Sequence, residues 1–588
     1  MATEFLSVPA SERREAPSLP AGRGTRRRLS SVAPVVALHG VLGVLILVPA
    51  AFVLLAAFSV DVPRPGNVRI DLTLQNFAVL GEPGVVQAVV NSLVIGVLAT
   101  AGAILLGGTL AFLAARTDVP LRRFVFLAGM MPLFFPSYVG ALAWSMLASP
   151  VAGMLNVALG DLGLGVRMDA YSIGGVAAVL ALYYAPYPFL FIHSSMSLMN
   201  PELEAAAHVH GGSSWQALKN VTLPLSLPAI LGSGVLVFIL VFENFPVAQV
   251  LASPDRIDTI PTFIFRLMNA SPSRGNEGAA IAVVLVAVVL LVTWLQRRTL
   301  ARRSYATISG KGVKPRRITL GRLRWLAFAF AGVYFLLTIV LPAAALLLTS
   351  IRTSSFMPSY SVLGEPGALS LDAFREVLRS ELFLTATRNS LVVSLLAAAL
   401  GTALAFVVVY TAYRTRHPGR GSLELVSMVP LAIPAIVLGM GLLWTWLVMP
   451  VPLYGTLWLM VVAFLAVQMP QGFRGIAASI LQTDRGLEDS AVVSGARRTR
   501  AIAYVTLPLI RTGLVSTFLL LLMLSMRELT VPLFLYTSNT RILSIAIFDL
   551  FENGGALQHA AAMSLVYCVM MFVLTYLPRR IGSTDGLV

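Results

Sequence analysis

Charged side chains are scarce in this sequence: 12% of its 588 residues are Asp, Glu, Lys or Arg, against 57% that are hydrophobic. No soluble core needs that much apolar chain, so a globular protein is excluded. There is one cysteine, Cys568, so no intramolecular disulfide can form. The six histidines (39, 193, 208, 210, 417 and 559) are scattered, and no segment has metal-ligand spacing. His208 and His210 stand two apart, which on a helix points them to different sides. A Gly-x4-Gly-Lys-Ser/Thr phosphate loop is missing too, since Gly310-Lys311-Gly312 lacks the preceding glycine and the hydroxyl residue. His193 lies two residues from Ser195, but with no third member or oxyanion donor to complete a catalytic set. The chain is therefore expected to bind no metal or cofactor and not to be an enzyme.

Long apolar runs are present instead. Crossing a bilayer takes roughly 20 apolar residues per helix. Runs of that kind lie near 34 to 60, 87 to 115, 124 to 148, 171 to 198, 225 to 252 and 278 to 296, then near 325 to 350, 385 to 413, 423 to 449, 455 to 478, 512 to 536 and 558 to 578. The first run follows a basic, Pro-rich leader containing Arg26-Arg27-Arg28 and has no small-residue cleavage site, so it is expected to be retained as a span.

A net charge of +16 invites a nucleic-acid reading. The positive-inside rule accounts for it differently. Segments 1–33, 116–123, 198–224, 297–324, 414–420, 479–511 and 579–588 hold 30 Lys and Arg, and the loops on the other side hold 10. Such alternation is what a twelve-span chain with both termini in the cytoplasm requires. The charge is topological, and no nucleic acid is expected.

Self-comparison divides the chain in two, at offsets near 284 to 298 residues. Asn91-Ser92-Leu93-Val94 returns as Asn389-Ser390-Leu391-Val392, and Leu110-Ala111-Phe112 as Leu404-Ala405-Phe406. Pro132 and Pro136 return as Pro430 and Pro434, Tyr171 and Pro186 as Tyr454 and Pro470. Six spans per half is an even number, so the repeat is parallel about an axis along the membrane normal. The expected architecture is a disordered tail (1–33), a first half (34–296), a basic cytoplasmic linker (297–324), a second half (325–580) and a short tail (581–588).

The clearest repeat is polar. Residues 203–225 read LEAAAHVHGGSSWQALKNVTLPL and residues 487–509 read LEDSAVVSGARRTRAIAYVTLPL, aligned without gaps. Each predicts a helix broken at a glycine (Gly211, Gly495) that can take positive φ, a second helix, and a proline opening the next span. These loops, about 200–224 and 484–508, resemble the coupling loops of type I ABC importer permeases, where Glu-Ala-Ala, three residues, Gly and a later Leu-Pro sit in a cleft of the ATPase subunit. In the second loop the matching positions are Asp489, Ser490, Ala491, Gly495, Leu507 and Pro508, preceded by Glu488. The first offers Ala205, Ala206, Ala207, Gly211, Leu223 and Pro224, with Glu204 one residue before the acidic position. The resemblance implies an all-α polytopic membrane protein of about 12 transmembrane helices in two parallel-related six-helix halves. It also implies two copies of an ABC ATPase subunit that bind the ATP, an extracytoplasmic substrate-binding protein, surrounding lipid, and a bacterial cytoplasmic membrane.

Acidic groups within spans are costly and hence candidate functional groups. Glu243 in the fifth run and Glu528 in the eleventh are equivalent, with Arg527 beside the latter and Pro246 and Pro532 just beyond. They are expected either to line the translocation pathway or to pair with Arg388 or Arg474. Asn91 and Asn389 are expected as interhelical hydrogen-bond donors, and Trp144, Trp444 and Trp446 as interfacial or packing residues. The fused form most resembles the ferric-iron branch, whose relatives import thiamine, 2-aminoethylphosphonate and polyamines. An ion-coupled secondary transporter is the competing class, but it has no reason to repeat a Gly-hinged loop at a docking position.

Overall fold

The computed structural model describes residues 35–582 apart from 65, 67–70, 200–201, 302–316, 355 and 553–555. The tail 1–33, the centre of the linker and the last six residues lie outside the described residues. Among the described residues eight helices are long and apolar enough to cross a membrane, and four bent pairs, each taken as one span, bring the number to twelve. In the first half these are α1 (Val35–Phe58), α2 (Pro83–Arg116), α3 (Arg122–Phe134 with Ser137–Ala148), α4 (Ile173–Tyr184 with Pro186–Ser197), α5 (Trp215–Phe242) and α6 (Gly275–Leu295). The second half holds α7 (Leu323–Ile351), α8 (Glu381–Arg414), α9 (Arg420–Leu431 with Ala435–Val448), α10 (Leu457–Gln482), α11 (Arg498–Leu509 with Arg511–Arg527) and α12 (Leu557–Leu574).

Proline sets the bends, and it sets them twice. Its ring excludes the carbonyl four residues back and it has no N–H to donate. α3 turns by 96° between Pro132 and Pro136, and α9 turns by 108° between Pro430 and Pro434. A gentler response recurs four times: π turns at Gly43–Leu47, Leu218–Thr222, Leu336–Val340 and Ile502–Thr506 each end two residues before a proline, Pro49, Pro224, Pro342 and Pro508. The wider turn gives the ring room without ending the helix.

The first helix of each half packs on the other half. α1 lies against α9 as well as its own α6, and α7 lies against the second limb of α3 as well as its own α12. Gly441 permits the first contact, because a Cβ there would fall 2.3 Å from the carbonyl oxygen of Pro49. His39 Nε2 and Ser422 Oγ stand 2.8 Å apart along the same contact. On the other side the hydroxyl of Tyr334 donates to Leu182 O (2.9 Å) and that of Tyr183 to Thr338 O (3.2 Å). The described end of the linker is docked as well: Ile318 N donates to Arg116 O (2.8 Å), and Leu320 N to the Asp118 carboxylate (2.8 Å).

Trp144, Trp444 and Trp446 are all buried within this packing. Of the two roles open to them, they take packing.

Candidate functional site

Both repeated loops have the expected form of helix, glycine, helix. Glu202–Val209 ends before Gly211, at φ +80°, and Arg485–Val493 ends before Gly495, at φ +93°. Nothing lies within 4 Å of a Cβ built at either glycine, so backbone conformation alone selects the residue. The chain then resumes at Ser214–Ala217 and Arg498–Ala501, passes through a π turn and enters the next span at Leu223-Pro224 and Leu507-Pro508.

The acid that organises the second loop is Glu488, one residue before the motif position. It is 3% exposed, and it accepts hydrogen bonds from the hydroxyls of Tyr410 and of Thr506 (2.9 Å), with Arg498 Nε 3.3 Å away. Arg498 also donates to the Tyr410 hydroxyl (3.2 Å). Arg414, at the end of α8, donates to the carbonyls of Ile480 (2.7 Å) and Thr483 (2.5 Å), while its own carbonyl accepts from Arg485 (3.1 Å). Asp489, at the motif's acidic position, is exposed and holds only a 3.8 Å pair with Arg485. Ser490 is exposed and donates to Gly486 O (2.7 Å), and Ala491 is partly covered.

In the first loop the side chains of Glu204, Ala205 and Ala207 lie outside the described residues. Ala206 is exposed, and Thr222, the counterpart of Thr506, is fully buried. Sequence reasoning missed Tyr410 and Arg498, which are not shared between the loops. Thr506 was legible as part of the repeated Val-Thr-Leu-Pro-Leu.

The fifth and eleventh spans stop earlier than their apolar runs. α5 ends at Phe242 and α11 at Arg527, so Glu243 and Glu528 cap helices rather than sit within them. The chain turns there because Pro246 and Pro532 open new short helices at Pro246–Leu251 and Pro532–Phe534. Asn244 Oδ1 accepts from Val247 N (3.0 Å), and Glu528 Oε1 accepts from the N–H groups of Thr530 (3.1 Å) and Val531 (3.3 Å). Among the described residues neither acid has an ion pair within 4 Å, with Arg388 and Arg474 or with any other partner.

The two acids nonetheless approach each other at the seam between halves. Glu243 is in Coulombic reach of Glu528 and of Tyr184, whose hydroxyl accepts from Asn244 (2.8 Å), and Glu528 is in reach of its neighbour Arg527. Arg527 crosses the seam to donate to Leu133 O (2.7 Å), a carbonyl in the proline break of α3. Beside it lies a cavity of about 300 Å³ lined by Phe134, Ser516, Leu520, Met523, Met526 and Met571. A shallow open groove of about 340 Å³, lined by Ser479, Thr512, Ser516 and Thr517, shares Ser516 and Leu520 with it and continues along α11 toward the repeated loop.

Beyond the acids, on the face opposite the loops, the halves touch through phenylalanines. Phe245 stacks within 5.0 Å of Phe265 and 6.5 Å of Phe548, and Phe265 lies 6.0 Å from Phe534. Phe265 and Phe548 belong to the short helices Ile260–Met268 and Leu543–Glu552. The repeated Asn-Ser pairs hold the starts of those helices. Asn91 Nδ2 donates to Asp258 O (2.9 Å) and Ser92 Oγ accepts from Ile260 N (2.8 Å); Asn389 Nδ2 donates to Asn539 O (3.0 Å) and Arg541 O (2.9 Å), and Ser390 Oγ accepts from Leu543 N (2.7 Å). The two asparagines are thus donors across the packing, but to non-helical residues just before each short helix and not, as expected, to a second helix. Each segment also carries an ion pair, Asp258 with Arg266 (2.6 Å) and Arg541 with Asp549 (3.3 Å).

Two stretches, residues 99–305 and 400–583, match the family described as binding-protein-dependent transport system inner membrane component. The ferric transport system permease protein FbpB of Actinobacillus pleuropneumoniae is 22% identical over 514 residues, 86% of this chain and 73% of that protein. The Fe(3+)-transport system permease protein FbpB 2 of Haemophilus influenzae is 24% identical over 543 residues, 91% of this chain and 95% of the relative. A shorter relative, the putative 2-aminoethylphosphonate transport system permease protein PhnV of Salmonella typhi, is 28% identical over 262 residues, which are 94% of its length and 44% of this chain.

Proposed function

This chain belongs to the family of binding-protein-dependent transport system inner membrane components, and from that premise we propose that it is the two-half permease of an ATP-driven importer of ferric iron. The observation that carries the cargo is the likeness to a ferric permease across 91% of the chain. ATP hydrolysis is assigned to two separate ATPase subunits, one docked on each repeated loop, and cargo delivery to a binding protein on the opposite face. The positive-inside distribution supports placing the loops and both termini in the cytoplasm.

Within this reading the residues divide the labour. Closure of the ATPase pair on ATP draws the loops together, and the buried Glu488 network transmits that displacement to α8 and α11 rather than letting the loop slide. The halves rock about the seam, which exchanges access between the two faces. Glu243 and Glu528 form the acidic lining that a cation meets after passing the phenylalanines, and the Ser- and Thr-lined groove along α11 is its way out. A second cargo, 2-aminoethylphosphonate, is favoured by one feature, the Arg527 guanidinium beside the acids, which suits an anionic group.

Uptake of labelled ferric iron by iron-starved cells, with and without the chain, tests the proposal. Uptake that depends on the chain, resists thiamine and 2-aminoethylphosphonate as competitors and collapses on ATP depletion is expected. Iron uptake unchanged by removal of the chain, with 2-aminoethylphosphonate uptake lost, moves the cargo to the second reading. Glu243→Gln with Glu528→Gln is expected to lower iron uptake at least tenfold at normal protein level; normal uptake excludes the acids from the pathway.

A further inference from the structure

We propose that α2 and α8 are rigid rods that carry movement of the repeated loops to the phenylalanine contact on the opposite face, with Asn91, Ser92, Asn389 and Ser390 as the positioning residues at their far ends. The inference rests on the docking of ATPase subunits on the loops and assigns those four residues a part in coupling.

Each rod is 34 residues long, about 51 Å at 1.5 Å per residue. That exceeds the roughly 30 Å hydrocarbon layer and reaches from one face of the protein past the other. Neither has an internal proline or a π turn, whereas α3, α4, α5, α9, α10 and α11 are each bent at a proline, carry one inside or contain a π turn. A helix without such a break moves as one body.

Both ends of the second rod are gripped. Near the loop, Tyr410 donates to the buried Glu488 carboxylate, and Arg414 joins the end of α8 to Ile480, Thr483 and Arg485. Twenty-one residues earlier, about 32 Å away, Asn389 and Ser390 hold the segment that opens Leu543–Glu552. The first rod shares the far grip, its Asn91 and Ser92 holding the start of Ile260–Met268, while at its other end the buried Arg116 takes the N–H of Ile318 in the linker.

The grip at the far end is chemical rather than steric. The first N–H groups of a helix have no partner within it, and Ser92 and Ser390 supply one each, to Ile260 and Leu543. Both bonds are buried, where losing a partner leaves a desolvated donor. A rod that shifts therefore takes the short helix with it, and Phe265 and Phe548 ride on those helices. The element with two arrangements that such coupling requires is the phenylalanine contact, joined here through Phe245–Phe548 and Phe265–Phe534 and parted when the opposite face opens.

The test places cysteines at Phe245→Cys and Phe548→Cys, the contact that includes Leu543–Glu552, in a chain carrying Cys568→Ser, purified from membranes with its copurifying ATPase and reconstituted in vesicles. Oxidation should join the pair efficiently without nucleotide and about tenfold less with ATP and vanadate. Asn389→Leu with Ser390→Ala is expected to abolish that difference while ATP hydrolysis continues, and Ser390→Thr, which keeps the hydroxyl, should retain it. A nucleotide response that persists in the double variant overturns the rods. Should that variant fail to accumulate, Asn91→Leu with Ser92→Ala makes the same test on a Phe265→Cys, Phe534→Cys pair, since Phe265 rides on the helix those residues hold. Failure of any ATPase to copurify removes the functional reading instead, and this inference with it.

Discussion

The two halves hold the same short helices with the same side chains but with opposite charges. Asp258 pairs with Arg266 in the first half; at the equivalent positions the second half has Arg541 and Asp549. The Asn-Ser hooks beside them are unchanged. An ion pair serves with either polarity, because the attraction depends on the product of the charges. A hook donating to a carbonyl and accepting from an N–H has no mirror-image version, because backbone polarity is fixed. The loop ends show a further difference: α8 brings Tyr410 to the Glu488 network and its last residue, Arg414, accepts from Arg485 of the loop, whereas the last residue of α2, Arg116, accepts from Ile318 of the linker. What both halves share is therefore the set of places where backbone is held.

The largest effect is expected where that comparison is most unequal, between Glu488 and its neighbour Asp489. Glu488→Ala leaves Arg498, Tyr410 and Thr506 without their common acceptor. Hydrogen bonds to a charged acceptor are worth about 1.5–3 kcal/mol each, and the Arg498 left behind is 47% exposed rather than a buried unpaired charge. ATP-dependent uptake should fall at least a hundredfold, with ATPase copurification reduced. Asp489→Ala removes an exposed 3.8 Å pair worth less than about 1 kcal/mol. It should leave copurification intact and lower uptake by no more than a few-fold. Equal losses from the two substitutions would show that the motif position, not the buried acid, carries the loop.

The hinge glycines sharpen the contrast between loops. Both have free space around them, so Gly211→Val and Gly495→Val differ from wild type only by forcing a β-branched residue into the left-handed region, a strain of about 1–2 kcal/mol each. Gly495→Val is expected to uncouple ATP hydrolysis from uptake at least as severely as Gly211→Val, because its loop is tied to α8 by a buried carboxylate. Hydrolysis and uptake measured on the same vesicles decide it. A more severe Gly211 variant would make the first loop dominant.

Sequence alone made the repeat, the spans and the loop hinges legible, because each is written in local chemistry: apolar runs, prolines at matched positions, a glycine followed by Val-Thr-Leu-Pro-Leu. It overran the fifth and eleventh spans because Leu- and Val-rich chain continues past Phe242 and reappears after Glu528, while the turn is dictated by Asn244, Pro246 and Pro532. It carried both Glu488 and Asp489 as loop residues but could not tell that Glu488 is the buried one, because that burial depends on Tyr410, 78 residues earlier on another helix. The exchange of α1 and α7 between halves was not legible at all. Nothing in an apolar run says which half its faces fit, and that exchange shows in Gly441 beneath Pro49, in His39 beside Ser422 and in the crossed tyrosines Tyr183 and Tyr334.

The smallest effect tests the charge reversal itself. Asp549 is 19% exposed and Arg541 35%, so the pair is worth more than a surface bridge and less than a buried one. Arg541→Asp or Asp549→Arg alone places like charges together at the start and middle of Leu543–Glu552, and uptake should fall several-fold. The double exchange gives the second half the polarity of the first, with an acid at the hook and an arginine one helix-length on. It should recover uptake to within about twofold of wild type, since Asn389 bonds to the backbone carbonyl of residue 541 and not to its side chain. A double variant no better than the singles would mean that polarity matters there for a reason other than the pair, and the cargo path past Phe548 would be the place to seek it.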